Sequence, residues 1–167
     1  MKRSLLLLWL AAICCALAGC AAKNGNGNNR AASGGNDAGG NAPANVPAKA
    51  DAVFAREAVE GLLNGDVSVA EAFDWENLKV PGAEVGSEYR ELPDEENREG
   101  FRQGFIEKFS ESFKASGASV GDLKNWREQA KQGETTVVAV DTVTGKTMQV
   151  FVVRRDGRQQ VSELAIE

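Results

Sequence analysis

Few residues in this chain of 167 can do chemistry, and their types narrow the choices at once. It contains no histidine. That removes a Ser-His-Asp triad, a Cys-His pair and imidazole ligation of a metal. The three cysteines are Cys14, Cys15 and Cys20. What remains is carboxylate, tyrosine or lysine chemistry, with one tyrosine, Tyr89, and carboxylates such as Asp74 and Asp141. No pair of them has a spacing that catalysis would require, so neither a catalytic residue nor a metal site nor a cofactor is assigned. A dehydratase- or isomerase-type pocket built on Tyr89 and a carboxylate is the enzymatic alternative. It would need an acid with a strongly shifted pKa in a closed cleft.

Cys20 is the most telling of these residues because of what precedes it. Lys2 and Arg3 begin the chain with positive charge, and Leu5 to Leu17 form an apolar run. About 13 residues suits a secretory signal and falls short of the roughly 20 that a membrane-crossing helix needs. Ala18 and Gly19 then present small side chains. The string Leu17-Ala18-Gly19-Cys20 resembles the lipobox of bacterial lipoproteins. That resemblance implies cleavage before Cys20, loss of Cys14 and Cys15 with the leader, and acylation of the Cys20 thiol. The protein would then be held on the lipid bilayer through acylated Cys20, within the bacterial cell envelope. Two or more acyl chains give stable anchoring. Ala21, where enteric lipoproteins retained in the inner membrane tend to carry aspartate, favours the periplasmic face of an outer membrane.

Three segments follow. Residues 1–19 read as the lipoprotein signal and residues 20–50 as the lipidated cysteine with a tether. The tether is dominated by Asn, Gly and Ala, as in Asn24-Gly25-Asn26-Gly27-Asn28-Asn29, with Pro43 and Pro47 near its end. Without aromatic residues or apolar periodicity it cannot offset the entropy of ordering, which predicts disorder. Residues 51–167 form a folded domain. The whole chain carries −5; residues 1–50 hold five of the positive charges (Lys2, Arg3, Lys23, Arg30, Lys49) and one negative charge (Asp37), which leaves −9 for the domain. Such a domain repels phosphate backbones, so nucleic acid is not an expected partner.

Within the domain the apolar period is first 3.6 and then 2. Asp51 starts a helix with Phe54, Ala55, Ala58, Val59, Leu62 and Leu63 on one arc, stopped at Asn64-Gly65. Ser68 and Glu71 have the spacing of a capping box, which predicts a short helix over 69–78. Tyr89 falls in a Gly86-Ser87-Glu88 loop. Pro93-Asp94-Glu95-Glu96 opens the longest helix, on which Phe101, Phe105, Phe109 and Phe113 recur every four residues and make one stripe. Arg102 projects within that stripe, where a charge must reach solvent, pair, or meet a bound anion. Strands are expected near 123–131 (with Trp126), 135–140, 148–154 and 161–166, the last two joined by Asp156-Gly157. The expected class is α+β, with N-terminal helices on a curved antiparallel sheet of about four strands.

This order of elements is similar to the cystatin-like cone of the nuclear transport factor two-like superfamily. The most specific residues are Gly145-Lys146-Thr147-Met148-Gln149-Val150-Phe151-Val152-Val153-Arg154-Arg155-Asp156-Gly157 followed by Val161, which resemble that group's last hairpin. Gln159 stands where the group usually has an aromatic residue. The stretch from Phe73-Asp74-Trp75 to Phe113 also looks like the periplasmic toluene-tolerance phospholipid shuttles. The resemblance implies that the long helix lies in the concave sheet, with a pocket at the open end lined by Phe101, Arg102, Phe105, Phe109, Phe113, Tyr89 and Trp126.

The expected function is that of a lipid-anchored envelope protein whose domain is a non-enzymatic binding module for another envelope protein or a small apolar ligand. A tethered lipid carrier is the alternative from a different class. Its phenylalanine stripe would line an acyl cavity and Arg102 would meet a phosphate.

Overall fold

The computed structural model describes residues 49–167. The signal, Cys20 and most of the tether lie outside them. The element order is α1 (Asp51–Asn64), a 3-10 turn (Val67–Ala72), α2 (Val85–Arg90), α3 (Glu95–Ala115), a second 3-10 turn (Val120–Asp122), β1 (Leu123–Gln132), β2 (Thr135–Thr142), β3 (Thr147–Arg155) and β4 (Arg158–Ile166). The strands form one open antiparallel sheet in the order β1-β2-β3-β4, each joined to the next. The domain is therefore α+β, as the change of period requires.

Alternation within the strands sets the core. Val138 and Val140 on β2 stand opposite Val150 and Met148 on β3, and these pair onward with Leu164 and Ile166 of β4. Side chains of alternate residues share a face, and this face is buried beneath the helices, with Val138, Val140 and Val150 fully inaccessible. The β3–β4 link is the two-residue turn Asp156-Gly157. Both residues have positive φ, 51° and 76°, the geometry that matches the twist of the flanking strands.

α1 buries Ala55, Ala58, Val59, Leu62 and Leu63. Its backbone comes within 8 Å of all four strands, and α3 approaches α1 in turn. The helix lying along the sheet is thus α1 rather than the phenylalanine helix that the resemblance placed there. Aliphatic residues on α1 allow that close approach, whereas the larger rings of α3 fill the space beside it. Ser110 Oγ donates to Leu63 O at 2.9 Å and Lys114 Nζ to Asn64 O at 3.1 Å. Both satisfy carbonyls left free at the end of α1.

Between α1 and α3 the structure departs from the expected helix over 69–78. The 3-10 turn ends at Ala72, and Asp66, not Ser68, caps it by accepting from Ser68 N at 3.0 Å. The chain then runs along β4. Phe73 and Lys79 form parallel bridges with Val161 and Glu163. Asp74 N donates to Val161 O, and Leu164 N to Lys79 O, both at 2.9 Å. The reason is tertiary: the free edge of β4 offers backbone partners that a short isolated helix cannot match. Tyr89 also sits on a helix, α2, instead of in a loop. Gly86 makes that turn possible, since a Cβ there would lie 2.8 Å from Glu76 O.

α3 begins as its sequence demands. Asp94 accepts from Asn97 N at 2.9 Å, and Glu95 and Glu96 occupy the first turn, where carboxylates complement the positive helix end.

Candidate functional site

The aromatic residues singled out in the sequence meet at one end of the domain. Trp75 is the hub, at 6 % exposure. Its ring lies 5.6 Å from Phe73, 6.1 Å from Tyr89, 6.3 Å from Phe101 and 5.6 Å from Phe105. The contacts with Phe101 and Phe105 are edge-on, the arrangement that ring quadrupoles prefer. Trp75 Nε1 donates to Ala70 O at 2.7 Å, so its one polar group is satisfied. Three elements supply the cluster: the strand-like run 73–79, α2 and α3.

Arg102 is paired. Its Nη1 donates to Tyr89 Oη at 2.8 Å and its Nη2 to Glu95 Oε1 at 2.7 Å. Burial pulls its pKa down, but Glu95 and Tyr89 outweigh that and hold it above the ordinary value. Arg98 lies over the Tyr89 ring, 5.5 Å from its centroid, a cation–π contact. Two guanidinium groups thus flank one phenol.

The stripe on α3 divides along its length. Phe101 and Phe105 belong to the cluster, with Phe101 only half-buried. Phe109 continues the stack, 5.7 Å from Phe105, and turns toward Val59, Leu62, Met148 and Leu164 around an internal void of about 20 Å³. Phe113 is buried farther along the same helix. Trp126 is not part of this group. It stands on β1 against α1, in an open groove of about 400 Å³ with Ala52, Val53, Arg56, Glu57 and Glu60.

The acids singled out for possible chemistry are each engaged elsewhere. Asp74 is buried and accepts from Arg155 Nη1 at 2.7 Å and from Asn77 Nδ2 at 2.9 Å. Asp141 accepts from Asn125 at 3.0 Å and Arg127 at 2.8 Å, and those bonds lower its pKa. Among the described residues no group of three acids or cysteines comes together to hold a metal ion.

Sequence reasoning overlooked Trp75, Arg98 and Val85. The signal for Trp75 was present: Phe73 and Trp75 flank Asp74 with the period of a strand. Val85 and Tyr89 are four apart, the spacing of one helix face, but six residues are too few to establish a helix by pattern.

On the outer side of the cluster lies a notch of about 140 Å³, lined by Val85, Glu88, Gly100, Phe101, Gly104, Phe105 and Lys108. A Cβ built on Gly100 or Gly104 meets nothing within 4 Å. Gly100→Ala and Gly104→Ala are therefore each expected to raise stability by about 0.5–1 kcal/mol, the ordinary gain for alanine within a helix. A lower urea midpoint for either variant would contradict this.

No family model matches the chain, and neither does any curated protein or solved structure. Among the described residues no helix is long and apolar enough to cross a membrane.

Proposed function

We propose that this protein is a cell-envelope lipoprotein, anchored to the bilayer through acylated Cys20, whose domain is a non-enzymatic interaction module. The observation that carries the second half is how the aromatic end of the domain is used. The phenylalanine stripe fills space instead of enclosing it, and the void beside Phe109 of about 20 Å³ has room for little more than one water molecule. An acyl chain needs far more. Tyr89, which an enzymatic reading requires as a free acid or base, is 5 % exposed and bonded to Arg102. Asp74 and Asp141 are held by other arginines. These facts favour recognition at the surface over catalysis or carriage in the interior.

The anchor half rests on Leu17-Ala18-Gly19-Cys20 and the apolar run before it. Cys20→Ser is expected to abolish acyl labelling and move the protein from the membrane to the soluble fraction. Unchanged fractionation would overturn the anchor. Crosslinking in intact cells, followed by purification of the full chain, is expected to return one reproducible envelope protein as partner. Recovery of the chain alone would overturn the module.

A further inference from the structure

We propose that the notch on the outer face of α3 is the docking site for a cationic amphipathic helix of a partner protein. The inference rests on reading the domain as an interaction module, and it names that module's surface and the chemistry of its partner. The floor of the notch is apolar, made by Val85, Phe101 and Phe105. Phe101 is only partly buried there, although its ring touches three others of the cluster. Gly100 and Gly104 open the notch one turn apart, and a Cβ on either would meet nothing within 4 Å. At about 140 Å³ it suits one large apolar side chain. Two glycines in succession on a helix face let the ridge of another helix approach closely.

The charge around the notch selects the partner. Residues 84–111 contain nine acids and four bases, so this short stretch carries −5 of the domain's −9. Of its bases, Arg102 is paired with Glu95, and Lys108 lines the notch together with Glu88, so the acidic excess comes from the residues around the lining. On the helical wheel Glu96, Glu107 and Glu111 fall within about 80° of arc that also holds the two glycines, and all three are exposed. A second copy of the chain would bring the same acids against themselves, and anionic lipid would be repelled in the same way. A helix with one bulky apolar residue between lysines or arginines satisfies both the floor and the rim.

The probe is a fluorescein-labelled leucine/lysine peptide of about 18 residues, five helical turns, with a leucine/glutamate twin as control. Binding to the full chain is read by anisotropy and by amide NMR shifts. The lysine peptide is expected to bind, with shifts centred on Val85, Phe101, Gly104 and Phe105, and the glutamate twin is not. Gly104→Leu, which fills the notch, should weaken binding about tenfold or more, and so should the double charge reversal Glu107→Lys with Glu111→Lys, which leaves the notch open. Gly100→Ala with Gly104→Ala adds only methyl groups and serves if the leucine variant does not fold. Equal affinity in these variants, or shifts spread over the whole acidic surface, would overturn the site in favour of non-specific attraction. Shifts that grow with protein concentration without peptide, and vanish in Gly104→Leu, would assign the notch to a second copy instead. A crosslinked partner that survives Gly104→Leu overturns the notch but leaves the module standing; absence of any partner overturns the module itself.

Discussion

Trp75→Ala should destabilise the domain by about 4 kcal/mol, within the range for deleting a large buried ring. Trp75 touches four other rings drawn from three elements. Its loss would leave a cavity bordered by the run 73–79, α2 and α3, none of which can close it alone. A typical domain has only about 5–15 kcal/mol in total, so the variant would sit near the edge of folding. Trp75→Phe separates the two contributions of the side chain. It keeps an aromatic ring but forfeits the bond to Ala70 O and part of the ring volume, for an expected loss of about 1–2 kcal/mol. Urea midpoints of the two variants measure the difference. Equal midpoints would show that packing among the rings contributes little.

Asp51→Ala should cost about 2–3 kcal/mol, for a different reason. Asp51 is the first residue of α1 and is 4 % exposed. Its carboxylate accepts from Thr136 Oγ1 at 2.7 Å, Arg154 Nη2 at 2.8 Å and Gln159 Nε2 at 2.7 Å. It thereby ties the start of the helical half to β2, β3 and β4 together. Removing it leaves Thr136 and Arg154 without this acceptor, while Gln159 Nε2 keeps its bond to Lys49 O. The Arg154 side chain is 38 % exposed and recovers some solvation, so the cost falls below that of breaking a fully buried pair.

The same carboxylate gives a pH dependence. Burial alone would raise the Asp51 pKa, but the bonds from Thr136, Gln159 and Arg154, with the charge of Arg154, outweigh burial and hold it below the ordinary 3.8. The unfolded chain then takes up the proton first as pH falls. The stabilisation is complete above about pH 4 and is lost as pH drops through the lowered folded value. Asp51→Asn should therefore be less stable at neutral pH and show a shallower acid limb. Parallel acid limbs for the two proteins would remove Asp51 as their cause.

Arg154 and Arg155 show how an ordinary strand end organises the fold. Successive residues of a strand point to opposite faces. Arg154 reaches Asp51 at the start of α1, while Arg155 reaches Asp74 in the run beside β4. From sequence the two read only as charges before a hairpin turn. Their partners are about 100 and 80 residues away along the chain, a distance at which local pattern carries no information.

The legible parts were those in which one segment decides its own fate. The arc of α1 and its stop at Gly65, the acidic start of α3, the four-residue period of the phenylalanines, the strand alternation and the Asp156-Gly157 turn all follow from backbone preference and spacing, and each stands where the residues put it. Of the site, the sequence indicated Tyr89, Phe101, Arg102 and Phe105, which do meet. It grouped Trp126 with them because an aromatic residue on a strand carries no mark of which helix it faces.

The sequence by itself therefore determined the class of the domain, its acidity, the limits of α1 and α3 and the absence of histidine chemistry, since composition and short-range periodicity are properties of the chain alone. Tertiary structure decided that residues 73–79 run along β4 instead of forming a helix, that α1 lies on the sheet, and that Trp75 joins Tyr89 to α3. Each of those outcomes depends on edges and cavities that exist only once distant segments have come together, where a free strand edge or an unfilled space outweighs weak local preference.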